Sequence, residues 1–106
     1  MMLDNVFAQI PDAHGGEIFE PLVRTNHTHV ERIISQGQAT APGEWYDQPR
    51  AEWVLLLQGE ATIRYASGEV FSLQPGDWLN IPPHCRHRVD RTSPTEITLW
   101  LAIHYD

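Results

Sequence analysis

Gly76-Asp77-Trp78-Leu79-Asn80-Ile81-Pro82-Pro83-His84-Cys85-Arg86-His87 is the stretch on which the fold reading turns. Pro75-Gly76-Asp77 is a turn. Trp78 to Ile81 is a short apolar piece that reads as a strand. Pro82-Pro83 must break the ladder, because neither residue can donate a backbone hydrogen bond. His87-Arg88-Val89 then resumes an extended chain. Upstream, Glu52 to Gln58 reads as another strand, closed by the turn Gly59-Glu60. Short strands separated by Gly and Pro signals predict an all-β sandwich or barrel.

The same punctuation extends outward in both directions. Gly15-Gly16 opens an edge strand through Glu17-Ile18-Phe19, and His29 to Ser35 forms the next strand, closed by Gln36-Gly37. Ala61 to Ala66, a hairpin turn at Ser67-Gly68, Glu69 to Leu73 and a last strand from Ile97 to Tyr105 complete roughly eight or nine strands, a number that suits a closed barrel or jelly roll. Only Asp4 to Ile10 could make a short helical turn, so an irregular or helical N-terminal segment is expected. A hairpin centred near Ser93-Pro94 is expected to lay His87 opposite roughly Trp100. In Glu52 to Gln58 the apolar side chains occupy both parities, so both faces of that strand should be buried, one in the barrel and one against a second sheet or subunit. A homodimer is therefore expected.

The chain has 106 residues, which predicts one domain over 1–106. Its net charge of −7 disfavours nucleic acid, whose phosphates need neutralising, and a polybasic membrane-surface role. Cys85 is the only cysteine, so no intrachain disulfide or multi-cysteine metal site can form. Met1-Met2-Leu3-Asp4-Asn5 does not read as a secretory leader. With one cysteine, a reducing cytoplasm is the expected location. The six histidines are the residues suited to metal ligation or proton transfer.

Glu52-x6-Gly59 and Gly76-x5-Pro82-x4-His87 together resemble the two motifs of the cupin superfamily. The first family motif is G-x5-H-x-H-x3–4-E-x6-G and the second G-x5-P-x-G-x2-H-x3-N. Gly76, Pro82 and His87 fall in register, while His84 stands at the family's glycine and Arg91 at its frequent Asn. The short interval from Glu60 to Pro75 resembles small bacterial cupins. Both histidines of the first motif are replaced. A three-residue spacer puts Tyr46 and Gln48 in their places, and a four-residue spacer puts Trp45 and Asp47 there. The resemblance implies a single cupin-type β-barrel.

It also implies a barrel metal site, with Glu52 and His87 as the matched ligands. Gln48, Asp47 or Tyr46 could supply an oxygen, and His104 is a candidate substitute ligand. Imidazole plus oxygen donors suit zinc, manganese, iron or nickel. Glu52 is the candidate general base as well as a ligand. Tyr46, Asp47 and Trp100 are expected at the pocket, and at least one of Trp45, Tyr46, Trp78 and Trp100 should line it.

Other residues read more plainly. His84 and His87 point oppositely on an extended chain and should not share a metal. Cys85 reads as a small buried side chain. His27-x-His29 with Glu31 imitates the family's paired histidines, but Gln38 stands where a glycine should close the motif, so a polar edge or loop is expected. His14 reads as a surface residue too. Arg86 and Arg88 should face outward and pair with surface carboxylates, and Arg91 enters the following turn. Two function classes stay open: a metal-dependent enzyme on a small molecule, of dioxygenase, isomerase or decarboxylase type, and a metal-free barrel that binds or senses a small ligand.

Overall fold

The computed structural model describes residues 3–106, so Met1 and Met2 of the opening stretch lie outside the described residues. Eight strands are described: β1 (Ile18–Arg24), β2 (Thr28–Ser35), β3 (Ala51–Gln58), β4 (Ala61–Tyr65), β5 (Val70–Leu73), β6 (Trp78–Ile81), β7 (His87–Thr92) and β8 (Thr98–Tyr105). They form two antiparallel sheets, one ordered β1-β2-β8-β3-β6 and the other β5-β4-β7. The architecture is the all-β jelly roll expected from the turn spacing.

Inward-facing residues of the larger sheet align in rungs across it. Phe19, Ile33, Trp100 and Leu56 make an apolar rung. Glu31, Ala102, Val54 and Leu79 make the next, and His29, His104, Glu52 and Ile81 the one beyond. The core behind them joins Ile33, Val54, Leu56, Ile81, Trp100 and Ala102 to Ile63 and Leu73 of the smaller sheet. Ala102 is fully buried and carries only a methyl group, which leaves room above it for its polar neighbours.

The N-terminal segment takes the irregular of the two forms expected for it, without a helix. Asn5 uses its side chain locally, accepting from the Phe7 N–H at 2.8 Å, and such bonds compete with helix formation. The carbonyls of Val6, Ala8 and Gln9 turn to the buried Arg32 guanidinium, at 3.0, 2.7 and 3.1 Å, instead of to a helical ladder. The hairpin expected near Ser93-Pro94, by contrast, is absent. β7 pairs with β4, whereas β8 pairs with β2 and β3, so the turn crosses between sheets and Trp100 stands opposite Ile33 and Leu56. Thr92 and Ser93, both buried, make that crossing through bonds to the Gln38 and Glu60 carbonyls at 2.7 and 3.0 Å.

Two glycines of the quoted motifs serve different needs. Gly59 has φ +88°, and a Cβ there would lie 2.8 Å from the Thr98 Cα and 2.9 Å from the Ile97 carbonyl oxygen. The β3–β4 turn can thus pass the start of β8 only without a side chain. Gly76 has open space around it, and its φ of +95° is what favours glycine there. Its N–H donates to the Leu56 carbonyl at 2.8 Å, which joins the turn before β6 to β3.

β3 is buried on one face only. Glu52, Val54 and Leu56 point inward and are buried, while Trp53, Leu55 and Leu57 are half-buried on the outside. Beside them Trp78 is 61% exposed.

Candidate functional site

The barrel holds one polar cluster on an apolar floor. The cavity measures about 540 Å³ with its open mouth included. Ile33, Val54, Ile63, Ile81, Val89 and Trp100 form its apolar wall, and Glu17, Glu31, Tyr46, Gln48, Glu52, His87 and His104 its polar groups. Three of the polar groups, Glu31, Glu52 and His87, are 9%, 8% and 5% exposed, so they must find their partners within the protein.

The pairing is a chain of alternating imidazoles and carboxylates. His87 Nε2 stands 3.5 Å from Glu52 Oε1, and Glu52 Oε2 is 3.9 Å from His104 Nε2. His104 Nε2 donates to Glu31 Oε1 at 3.0 Å, and His29 Nε2 reaches Glu31 Oε2 at 3.1 Å. His87 Nδ1 donates to the Cys85 carbonyl at 2.8 Å, which aims its Nε2 at the cavity. Arg24 Nε donates to His29 Nδ1 at 3.3 Å, so the His29 proton sits on Nε2, toward Glu31. Among the described residues no buried side-chain polar atom lacks a partner.

The cluster sets its own protonation. Burial opposes charge on His87, but Glu52 and the Cys85 carbonyl outweigh it and raise its pKa above the usual imidazole value. The bond to Glu31 raises that of His104, against its burial. Glu31 is itself buried, yet the bonds from His104 and His29 hold its pKa below the ordinary carboxylate value. At the other end of the cavity burial raises the Glu17 pKa, while Ser35 Oγ donates to Glu17 at 2.5 Å and accepts from Trp100 Nε1 at 3.3 Å. Tyr46 is raised by burial and by the surrounding carboxylates.

The structure brings Glu52, His87, His104, Gln48, Tyr46 and Trp100 to one cavity. Tyr46 arrives by bridging the start of β7: its N–H donates to the His87 carbonyl at 2.8 Å, and its ring stacks on the His87 ring at 5.5 Å. Asp47, expected at the pocket, faces away and bonds the exposed His84 at 2.8 Å. Tyr46 and Gln48 inside with Asp47 outside matches the three-residue spacer. His84 has φ +58°, the left-handed region, which gives a physical reason for a glycine at that position. His104 reaches the site through its pairing with Glu52 on β3, not through a hairpin with β7.

Sequence reasoning missed Glu31, His29 and Glu17. His29 and Glu31 are not a polar edge or loop. They lie on β2, and Glu31 is at the centre of the cluster. The available signal was parity: Glu31 shares a face with Ile33, an apolar wall residue. His14 and His27 are exposed and pair with Asp12 and Asp106, as surface residues do. Arg88 and Arg91 pair with Asp90 and Glu60, while Arg86 lies over the Trp45 ring at 5.7 Å.

The donor chemistry suits a divalent ion: two imidazoles and two carboxylates, with the His87 tautomer fixed by a backbone carbonyl as metal-binding histidines require. Among the described residues no three His, Cys, Asp or Glu side chains converge as a ligand set.

A family model described as "Cupin domain" matches residues 31–104. A Ralstonia eutropha JMP134 protein, described as a candidate mannose-6-phosphate isomerase, is 46% identical, with a TM-score of 0.95 over 100% of this chain and 99% of that one. A Thermus thermophilus protein is 18% identical, with a TM-score of 0.82 over 99% and 97% of the two chains. A cupin superfamily protein of Desulfitobacterium hafniense DCB-2 is 20% identical, with a TM-score of 0.74 over 91% and 83%. These last two share the fold. No curated protein is significantly similar.

Proposed function

The chain belongs to the cupin domain family, and from that premise we propose that it is a small-molecule enzyme of the isomerase type, working in the barrel with a divalent metal ion. The observation that carries the reading is the position of Glu52. It is a buried carboxylate at the edge of an apolar wall, flanked by the Nε2 atoms of His87 and His104 at 3.5 and 3.9 Å. A buried general base beside imidazoles able to hold an electrophilic ion is what a hydroxy-carbonyl isomerisation needs. The description of the 46% identical relative supports the same reaction type.

His87, His104 and Glu52 would hold the ion, with Gln48 as an oxygen donor, and zinc, manganese, iron and nickel all suit that set. When bound, such an ion supplies Lewis-acid polarisation of an oxygen. Glu52 takes the proton from the carbon beside the carbonyl. The Tyr46 phenol, which lines the cavity and is kept protonated by its raised pKa, gives one to the carbonyl oxygen. The hydroxyl proton is then withdrawn and the carbon proton returned at the neighbouring carbon, so the step balances without an oxidant. Tyr46 and Trp100 wall the substrate and limit water.

The test is solvent deuterium incorporation into mannose 6-phosphate by protein purified without a His tag, alongside its metal content after reconstitution with each of the four ions. Incorporation should fall at least ~100-fold in Glu52→Gln, the scale of a lost general base. A stoichiometric ion should be lost in His87→Ala. No ion and no incorporation would overturn the enzyme reading. They would favour a metal-free ligand-binding barrel, the second reading, which rests on His104 and His29 already being bonded to Glu31.

The half-buried outer face of β3, next to exposed Trp78, supports a homodimer in which that face meets its copy. Sizing in solution should give a dimer at micromolar concentration. The single cysteine fits the cytoplasm as location, and among the described residues no helix is long and apolar enough to cross a membrane.

A further inference from the structure

We infer that the open groove beside the barrel mouth, between Arg24 and Arg50, binds the phosphate of a phosphate monoester whose neutral part enters the barrel. The groove is lined by Arg24, His29 and Arg50, and it shares Glu31, Gln48 and His104 with the barrel cavity. One molecule can therefore occupy both. The inference rests on the barrel reading above and adds to it the residues that would hold the substrate's phosphate.

Charge placement carries the step. The barrel cavity is lined by Glu17, Glu31 and Glu52 and by no Arg, so a dianion is repelled from its interior. All seven basic residues of the chain are arginines. Arg32, Arg64, Arg88 and Arg91 are held by carboxylates at 2.6 to 3.0 Å, and Arg86 lies over Trp45. Arg24 has no carboxylate within ion-pair distance among the described residues, and only its Nε is used, toward His29. Its two η nitrogens, the paired donors that suit an oxyanion, are left for a ligand.

Arg50 completes the pair and is anchored in place. Its Nη2 donates to the Asn26 carbonyl at 2.7 Å, tying the segment before β3 to the β1–β2 hairpin, while Asp106 lies at a looser 3.6 Å. The titratable groups facing this groove are His29, His104 and Glu31, and the carboxylate of Glu31 is already engaged by both imidazoles. Two guanidiniums and two imidazoles thus stand with two carboxylates, Glu31 satisfied by both imidazoles and Asp106 loosely paired to Arg50, which leaves Arg24 as the guanidinium without a carboxylate partner among the described residues.

The test is an NMR titration of the His29 and His104 imidazoles with inorganic phosphate at constant ionic strength, with acetate as the second arm. Phosphate should give a saturable shift. Arg24→Gln should weaken it at least ~5-fold, and Arg24→Gln with Arg50→Gln at least ~10-fold, the loss expected for charge-assisted bonds. Arg24 holds nothing together in the fold except the exposed bond to His29, so the single variant stays informative if the double one loosens the hairpin. A wild-type titration without saturation overturns the inference. So does a phosphate response unchanged in Arg24→Gln, which would place the anion elsewhere, on a metal ion included. An equal response to acetate overturns the phosphate assignment. The barrel reading fails separately: Glu52→Gln should keep the phosphate response, and turnover undiminished in that variant would sink the isomerase reading without moving this titration.

Discussion

The two arms of the polar cluster use the same side chains for different work. In one, on β3 and β7, Glu52 stands loosely between His87 and His104 at 3.5 and 3.9 Å. In the other, on β2 and β8, Glu31 is gripped by His29 and His104 at 3.1 and 3.0 Å. A carboxylate with two full hydrogen bonds is a structural anchor, whereas one beyond good hydrogen-bond distance is still able to accept a proton or a ligand. His104 touches both and links them.

That contrast predicts opposite rankings for the same substitution. Glu31→Gln should destabilise the fold by about 2–3 kcal/mol, the cost of losing bonds to charged partners in a buried place, and Glu52→Gln by about 1 kcal/mol. Chemical denaturation of both variants measures this. Activity should rank the other way, with Glu52→Gln the more damaging. A Glu52 variant less stable than its Glu31 counterpart would end the division into anchor and reactive group.

The arms also differ in how far they can be read from the chain. Glu52 and His87 sit at set distances from Gly59, Gly76 and Pro82, and those residues have local jobs: a close approach at Gly59, a positive φ at Gly76, a broken ladder at Pro82-Pro83. Local needs leave local spacing, so the jelly-roll strands and half the site are legible. Glu31 and His29 enter through β2–β8 pairing, in which His29 stands opposite His104. Strand pairing across that much chain leaves no spacing to count, and a one-residue slip would have turned both outward. The direct path assumed from β7 to β8 failed for a related reason: Thr92 and Ser93 carry the chain to the other sheet through bonds to distant carbonyls.

Protonation sharpens the comparison further. The raised pKa values of His87 and His104 stabilise the fold fully below the usual imidazole value of 6.5, and this is lost as pH rises through the raised values. The lowered pKa of Glu31 contributes above the usual carboxylate value of 4.5 and is lost as pH falls through the depressed one. Both contributions are therefore in full between pH 4.5 and 6.5. Denaturation midpoints across pH should be highest in that window as far as this cluster governs them. Glu31→Gln should remove the acid limb and the His104 part of the alkaline limb, while Glu52→Gln should flatten mainly the part due to His87. A profile identical in the two variants would mean the arms titrate as one unit.

The smallest effect is expected at the rim, where His84 occupies a left-handed position at φ +58°. A non-glycine residue there costs about 1 kcal/mol, and glycine would relieve it. Glycine also adds about 0.5–1 kcal/mol of unfolded-state entropy to be lost on folding, and the exposed bond from His84 to Asp47 would go. The terms nearly cancel, so His84→Gly should change stability by no more than about 0.5 kcal/mol. Its backbone N–H donates to the Gln48 carbonyl at 2.7 Å, and that bond survives the substitution, so Gln48 should keep its place in the cavity. A loss well beyond that, together with weaker ligand or metal binding, would show that the His84–Asp47 pair outside the barrel positions Gln48 inside it. The reactive arm would then have an anchor of its own, outside the barrel, where the arm of Glu31 has its anchor inside.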